Sequence, residues 1–294
     1  SMLPLIFPAF PKRNEIEIFA ELIPAREVGG DFYDFYFLDD NHFCFVVGDV
    51  SGKGVPAALM MAVTKTLIKS QAVNDRSTAS ILTHVNNEIA KDNDTYMFIT
   101  VFMAILDTNT GELVYSNAGH NPSYILNGKN KGHIKLGDLH GPVVGAMEEM
   151  TYKETKLNIN KEDLIVVYTD GVTESQNMNE ELYSDEKFIQ LLESEATSSP
   201  KDLIKKIIDS VKSFEGEAEQ FDDITLLAIR YMQEPNTISN DSTSIKIIND
   251  LKEITSVIEH FEIFGEENNI TFPVIQKFNI ALDELLNNNI SYGF

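Results

Sequence analysis

Four aspartates, each at a point where an apolar run meets a turn, have the residue type and the placement that metal chemistry requires. They are Asp31, Asp49, Asp170 and Asp222. Carboxylates that lie close together repel one another unless cations neutralise them, and hard oxygen donors select Mg²⁺ or Mn²⁺ over zinc. Two such ions can hold a phosphoryl group and activate a water molecule. Alternatively, aspartate simply favours turns, which explains any single one of the four more readily than it explains the set.

Composition limits the classes of partner. The chain has 294 residues, is 43% hydrophobic and carries a formal net charge of −23. This charge argues against nucleic acid or an anionic membrane as the partner, and therefore against a Mg²⁺-dependent nuclease. The single cysteine, Cys44, excludes a disulfide framework and suits a reducing cytoplasm, where we expect the protein. No apolar run is long enough to span a membrane.

The elements that must position the acids follow from hydrophobic periodicity. Alternation predicts a meander of strands rather than a βαβ unit, and a 3.6-residue period predicts helices inserted between strand runs, hence an α+β layered fold. The predicted strands span 15–24, 31–38, 42–49, 98–107, 112–117, 124–126, 163–168 and 224–231, and the predicted helices span 54–73, 77–91, 185–195 and 201–214. The segment from 127 to 145 is predicted to be rich in loops.

Changes of composition divide the chain. Residues 1–12 are proline-rich and are expected to be a lead-in from a missing upstream region, and residues 13–232 form the main domain. The polar, turn-forming segment 233–244 is predicted to be a linker. Residues 245–294 are too few to bury much of a core, so we expect an incomplete second unit.

Five motifs in a fixed order resemble those of PPM-type metal-dependent protein phosphatases, in the bacterial SpoIIE/RsbU-type branch. The resemblance covers residues 3–231 and implies a β-sandwich of two antiparallel sheets flanked by helices. The motifs are VGGDFYDF at 28–35, GDVSGKG at 48–54, AGHNP at 118–122, YTDGVTE at 168–174 and FDDITLL at 221–227.

The resemblance also implies roles for individual residues. Asp49 would bridge two Mn²⁺ or Mg²⁺ ions, and the carbonyl of Val50 would be a further ligand. Asp170 and Asp222 would complete one metal, and Asp31 would hold metal-bound water. A water between the ions would attack phosphorus in line and displace a serine or threonine oxygen.

One departure from the family concerns the proton donor, so that either metal-bound water or another group would serve as the acid. Eukaryotic relatives have a histidine shortly after the bridging aspartate, where this chain has Ser51. His120 in AGHNP is a candidate acid if its turn faces the site; the alternative is a structural histidine bonded within its own loop.

The other charged residues in or near the motifs are interpreted separately. Arg26 lies at the offset of a phosphate-binding arginine in some relatives, and a guanidinium suits a phosphoryl group; the alternative is a surface salt bridge. Asp34 and Asp223 are ranked below the main four acids, as residues behind the ligands or at a third metal. Lys53 is interpreted as a solvated loop residue.

The helix predicted at Gly54–Val73 begins directly after the bridging ligand. The resemblance implies that this helix forms part of a regulatory switch and of a homodimer interface. The alternative is an ordinary amphipathic helix packed on the core.

The segment at 278–294 resembles the first conserved box of GHKL-type ATPases, specifically the anti-sigma-factor serine kinases. Glu284 and Asn288 are four residues apart and share a helical face. In that family the acid positions the reacting groups and the asparagine binds the Mg²⁺ of ATP. The alternative is an amphipathic helix whose polar residues face water.

The resemblance implies a phosphoserine/phosphothreonine phosphatase whose substrate is a phosphorylated STAS-domain anti-anti-sigma factor in bacterial partner switching. The kinase-like part would contact a sigma factor. The alternative function is a non-catalytic regulatory protein that sequesters a sigma or anti-sigma partner.

Overall fold

The computed structural model describes residues 13–234, apart from 27–28, 92, 94 and 128–131, together with residue 276. A division of the chain falls between Thr237 and Ile238. The predicted lead-in, nearly all of the predicted linker, and the kinase-like segment with Glu284 and Asn288 lie outside the described residues and stay predictions.

Ten strands and four helices make up the described part of the chain. In chain order they are β1 (Ile16–Ile23), β2 (Phe32–Phe37), β3 (His42–Val50), α1 (Val55–Ala72), α2 (Thr78–Ala90), β4 (Ile99–Asp107), β5 (Glu112–Ala118), β6 (Ser123–Leu126), β7 (His133–Leu136), β8 (Thr155–Asn158), β9 (Leu164–Tyr168), α3 (Asp185–Ser194), α4 (Pro200–Glu215) and β10 (Ile224–Tyr231).

The strands form two five-stranded sheets. The first sheet has the order β1-β10-β9-β6-β7, and the second has the order β2-β3-β4-β5-β8. Every strand pair within them is antiparallel. The predicted α+β sandwich and the β2–β3 meander are therefore confirmed.

Strand β3 shows why the sheets stack. Phe43, Phe45 and Val47 point into the apolar layer between the two sheets, whereas Cys44 and Val46 point to the opposite face, against α1 and α2. All five are buried, as expected for a central strand covered on both faces. Cys44 thus behaves as a small buried hydrophobic residue.

Helices cover the outer face of each sheet. Helices α1 and α2 pack on the second sheet, and α3 and α4 pack on the first sheet. Serine hydroxyls fix two helix starts: Ser77 accepts a hydrogen bond from the backbone N–H of Ser80, and Ser199 accepts one from Asp202. These are N-cap contacts, which satisfy backbone donors that the helix cannot pair. The result is four layers, with helices outside and sheets inside.

Two strands were not predicted. Strand β7 lies inside the segment that we predicted to be rich in loops, and β8 lies in a stretch without a prediction. Both have four residues and occupy the edge of a sheet. Strand β7 (His-Ile-Lys-Leu) alternates over only four residues with Leu136 alone buried, and β8 (Thr-Lys-Leu-Asn) has a single apolar residue, so the alternation that marks a half-buried strand is at its shortest in β7 and absent from β8. Among the described residues, no helix is long and apolar enough to cross a membrane.

Candidate active site

Strand pairing brings the four predicted aspartates to the same end of the sandwich. Strand β2 begins directly after Asp31 and pairs with the end of β3 that carries Asp49. In the other sheet, Asp170 follows β9 and Asp222 precedes β10, and these strands are antiparallel neighbours. Residues that are more than a hundred positions apart in sequence therefore meet at one site.

Asp31 connects the two sheets through its carboxylate. Its Oδ2 accepts hydrogen bonds of 2.7 Å from the hydroxyls of Thr169 and Thr225, both on the opposite sheet. Asp31 is only 5% exposed. Burial and the charge of Asp49 raise the pKa of Asp31 well above its usual value, against the lowering effect of the two threonine hydroxyls. The carboxylate is held in place at an electrostatic cost.

Asp49 and Asp170 are destabilised as anions for the same reason. Burial, followed by the charge of Asp170, raises the pKa of Asp49 to about 7. Burial and the charge of Asp222 raise the pKa of Asp170. Each acid thus responds to the charge of the next, so the carboxylates act as one cluster.

Asp222 has a cationic partner. The Nζ of Lys53 lies 3.2 Å from its Oδ2, and the same ammonium donates a 2.9 Å hydrogen bond to the carbonyl of Phe221. Lys53, interpreted from sequence as a solvated loop residue, is thus in contact with the carboxylate cluster.

Asp223 holds the loop that leads to Asp31. Its two carboxylate oxygens accept hydrogen bonds from the backbone N–H groups of Ala25 (2.8 Å) and Gly30 (2.9 Å). A Cβ at Gly29 would lie 1.9 Å from this carboxylate, and a Cβ at Gly171 would lie 2.0 Å from the Asp223 carbonyl. Asp223 therefore binds the backbone on either side, and Gly29 and Gly171 allow that backbone to approach Asp223 closely because they lack a side chain.

The Val50 carbonyl, a predicted ligand, faces another glycine. A Cβ at Gly30 would lie 2.8 Å from this oxygen, so only glycine leaves space in front of it. Ser51, which stands where eukaryotic relatives have a histidine, exchanges hydrogen bonds with Phe98 through its backbone N–H and its hydroxyl. Ser51 thus fixes the turn after β3.

Arg26 is exposed and lines the same cavity as Asp49 and Asp222. Among the described residues it has no ion pair, so the alternative of a surface salt bridge gains no support. The cavity is lined by Ala25, Arg26, Gly29, Gly30, Asp49, Gly52, Lys53, Asp222 and Asp223.

His120 lies inside the domain rather than in this cavity. It is 4% exposed, its Nδ1 is 2.8 Å from the Thr100 hydroxyl, and Asn117 bonds to both its backbone N–H and its carbonyl. Burial lowers the pKa of His120 to about 4, so the ring is neutral at pH 7. This placement favours the structural alternative over the proton donor, because a neutral buried imidazole has no surplus proton to give.

Asp34 faces α1 rather than the other acids. Its Oδ2 lies 3.8 Å from the Nζ of Lys65 and 3.9 Å from that of Lys69. Both lysines belong to α1, so Asp34 links this helix to β2. The interpretation of Asp34 as a residue at a third metal is not supported by this geometry.

The donor set fits divalent cations. This fit is one of donor chemistry, because within the part of the chain that the structure describes no group of three or more His, Cys, Asp or Glu side chains is arranged so that it could hold a metal ion. The four aspartates nevertheless lie at one end of the sandwich, where Asp49 and Asp222 line the cavity, and hard cations are the partners that such carboxylates favour. The single cysteine of the chain, Cys44, is buried and does not line the cavity. The site therefore has no soft ligand that would select zinc.

Sequence reasoning missed several contributors. Thr169 and Thr225 lie within the motifs YTDGVTE and FDDITLL. A hydroxyl residue one or two positions from a motif aspartate was the signal available in the sequence. Glu174 in the first of these motifs is exposed, and burial together with the charges of Asp170 and Asp222 raises its pKa. Glu174 therefore adds to the negative charge around the site.

Comparisons with known proteins identify the family that this chain resembles. A family model described as Stage II sporulation protein E (SpoIIE) matches residues 39–232. The chain is 30% identical over 220 residues to Phosphoserine phosphatase RsbU of Bacillus subtilis, covering 75% of this chain and 64% of RsbU. It is also 30% identical over 250 residues to Protein IcfG of Synechocystis, covering 75% of this chain and 39% of IcfG. The chain thus spans less than two thirds of each of these relatives.

The fold recurs in solved structures. The SiaA-PP2C domain of Pseudomonas aeruginosa matches with a TM-score of 0.66 at 22% identity, covering 73% of this chain and 85% of that domain. At this identity the match shows the fold alone. It agrees with the two antiparallel sheets and flanking helices described above.

Asp49→Asn is expected to stabilise the protein in EDTA above pH 7. Because the pKa of Asp49 is raised from 3.8 to about 7, the folded state binds more protons than the unfolded state between these values, and stability falls as pH rises through that window. Removing the charge should raise Tm by about 3–6 °C, allowing for solvent screening.

Thermal unfolding at pH 4 and at pH 8 measures this effect. The gain should be present at pH 8 and absent near pH 4. The exposed Asp209 on α4 provides the control, since Asp209→Asn should leave Tm nearly unchanged. Equal Tm values for Asp49→Asn and the parent at pH 8 would contradict the repulsion described here.

Proposed function

This chain belongs to the SpoIIE family, and from this membership we propose that it is a metal-dependent phosphatase acting on phosphoserine or phosphothreonine of a protein. The observation that carries the proposal is the convergence of Asp31, Asp49, Asp170 and Asp222 from both sheets on one end of the sandwich, where Asp49 and Asp222 line a cavity. The charge of Asp49 raises the pKa of Asp31, that of Asp170 raises the pKa of Asp49, and that of Asp222 raises the pKa of Asp170, which suits a centre that cations complete.

We assign the metal ligands as the resemblance implies. Asp49 and the Val50 carbonyl, together with Asp170 and Asp222, would hold two Mn²⁺ or Mg²⁺ ions, and Asp31 would orient water. Bound ions of this kind supply Lewis acidity and a more acidic water. A magnesium complex has been solved for RsbX, whose fold matches with a TM-score of 0.57 at 16% identity, and this agrees with the choice of ion.

Residues around the cavity would position the phosphoryl group. Arg26 stands at the edge of the cavity with a guanidinium suited to phosphoryl oxygens. The glycine at position 30 leaves the Val50 carbonyl accessible, and Asp223 binds the backbone N–H groups of Ala25 and Gly30. His120 is not assigned the role of proton donor, because it is buried away from the cavity.

We propose a phosphorylated STAS-domain anti-anti-sigma factor as the substrate. RsbU and RsbP of Bacillus subtilis are both named phosphoserine phosphatases, and they are 30% and 23% identical to this chain. The kinase-like segment at 245–294, with Glu284 and Asn288 as ATP and Mg²⁺ residues of an intact domain, and its sigma-factor contact rest on the sequence resemblance alone.

Asp49→Asn is expected to lower the rate of phosphate release from a serine-phosphorylated STAS protein in MnCl₂ by about 100-fold or more. The reason is that a ligand shared by two ions contributes several kcal/mol to stabilisation of the transition state. Colorimetric phosphate release under single-turnover conditions measures this loss. Asp209→Asn, a matched change on the surface of α4, should stay within about twofold of the parent.

Two outcomes would contradict the phosphatase. They are a parent that releases no phosphate with Mn²⁺ or Mg²⁺, and an Asp49→Asn variant that is as active as the parent. Stable binding of the STAS partner without turnover would instead favour the non-catalytic regulatory protein.

We also propose a homodimer through α1. Val55, Leu59 and Val63 recur every four residues on one face of this helix, and they are 65%, 63% and 51% exposed. An apolar stripe of this kind on a helix surface suits a partner helix.

Leu59→Asp is expected to weaken this dimer about tenfold or more, because burial of an unpaired carboxylate costs more than the tenfold equivalent of about 1.4 kcal/mol. Light scattering across a concentration series measures the dissociation constant. Met178→Asp, at a 69% exposed position outside α1, should leave it unchanged. A parent that stays monomeric, or equal dissociation constants for Leu59→Asp and the parent, would end this proposal.

A further inference from the structure

Lys53 is held at the edge of the carboxylate cluster by three contacts. Its ammonium is 3.2 Å from Oδ2 of Asp222, donates a 2.9 Å hydrogen bond to the carbonyl of Phe221, and lies 4.8 Å from the centre of the Phe221 ring. The side chain is 36% exposed. Contacts to a carboxylate, a carbonyl and an aromatic face are all favourable to a cation.

The charge of Lys53 also reaches a second acid of the cluster. It lowers the pKa of Asp170, against the larger effects of burial and Asp222 that raise it. Arg26 is the other cationic residue lining the cavity. Of these two, only Lys53 forms an ion pair within the described residues. Lys53 is therefore the internal cation that partly neutralises Asp170 and Asp222.

The turn that carries Lys53 is anchored at its first residue, Ser51. The backbone N–H of Ser51 donates to the carbonyl of Phe98, directly before β4, and its hydroxyl accepts from the backbone N–H of Phe98. Gly52 and Gly54, on either side of Lys53, have φ values of +91° and +83°, a backbone conformation that glycine adopts without strain. The four-carbon stem of lysine allows the ammonium to move while the turn stays in place.

We propose that Lys53 is a built-in counter-cation that competes with a divalent cation for Asp222. The inference rests on the proposed function, in which Asp222 is a metal ligand. An ammonium and a divalent ion repel each other and cannot both occupy the same face of one carboxylate. The other oxygen, Oδ1, accepts the backbone N–H of Asp223, so a metal that binds Asp222 through Oδ2 requires the Lys53–Asp222 ion pair to open, and Lys53 raises the metal concentration at which the centre fills.

Lys53→Met tests this competition by the sign of its effect. Titration calorimetry of EDTA-stripped protein with MnCl₂ should give a dissociation constant about three- to tenfold lower than that of the parent, since a competing charge has been removed. In EDTA the same variant should unfold about 1–3 °C lower, because Asp170 and Asp222 lose their cation. Lys53→Arg, which keeps the charge, should follow the parent in both measurements.

A matched control exists at Lys161. It is 37% exposed and forms a 3.4 Å ion pair with Glu234, and it precedes β9, whereas Asp170 follows that strand. Lys161→Met should leave Mn²⁺ affinity unchanged.

Unchanged or weaker Mn²⁺ binding by Lys53→Met would overturn the inference, and weaker binding would show that Lys53 orients Asp222 for the metal. In that case Mn²⁺ binding by the parent would leave the proposed phosphatase standing. A parent that binds no Mn²⁺ would overturn both.

Discussion

The buried carboxylate of Asp31, which accepts two hydroxyl hydrogen bonds across the interface between the sheets, is the interaction on which the site depends. Asp31 precedes a strand of one sheet, and Thr169 and Thr225 belong to the other. A buried charge without such partners costs several kcal/mol, so the two sheet ends are held in one relative position. That position places Asp49 opposite the strand ends that carry the remaining acids.

The adjacent residues Asp222 and Asp223 have different roles at the site. Asp222 faces the cavity and contacts Lys53, whereas Asp223 turns inward and accepts backbone N–H groups from the loop before Asp31. The charge of Asp222 is therefore available to cations, whereas the charge of Asp223 is stabilised by the backbone N–H groups that it accepts. The site is thus rigidly supported and electrostatically strained, a combination in which function is gained at the expense of stability.

Much of the fold and most of the site were predictable, because strand alternation and strand-to-turn acids are local signals. The short edge strand β8 lacked apolar alternation and β7 showed it over only four residues, so their pairing depends on neighbours that a local pattern does not contain. His120 was considered for the site because its turn could face it, but Asn117 bonds to both the backbone N–H and the carbonyl of His120, and the ring is buried. Lys53 was missed because its partner Asp222 is 169 positions away in the sequence.

Anomalous diffraction from crystals of the protein soaked in MnCl₂ would locate the ions themselves. Two manganese peaks should appear at the cavity, with Asp49 between them, one also in contact with Asp170 and Asp222, and the Lys53 ammonium displaced from Asp222. Manganese bound elsewhere, or two peaks that Asp49 does not share, would contradict a two-metal centre built from these four acids.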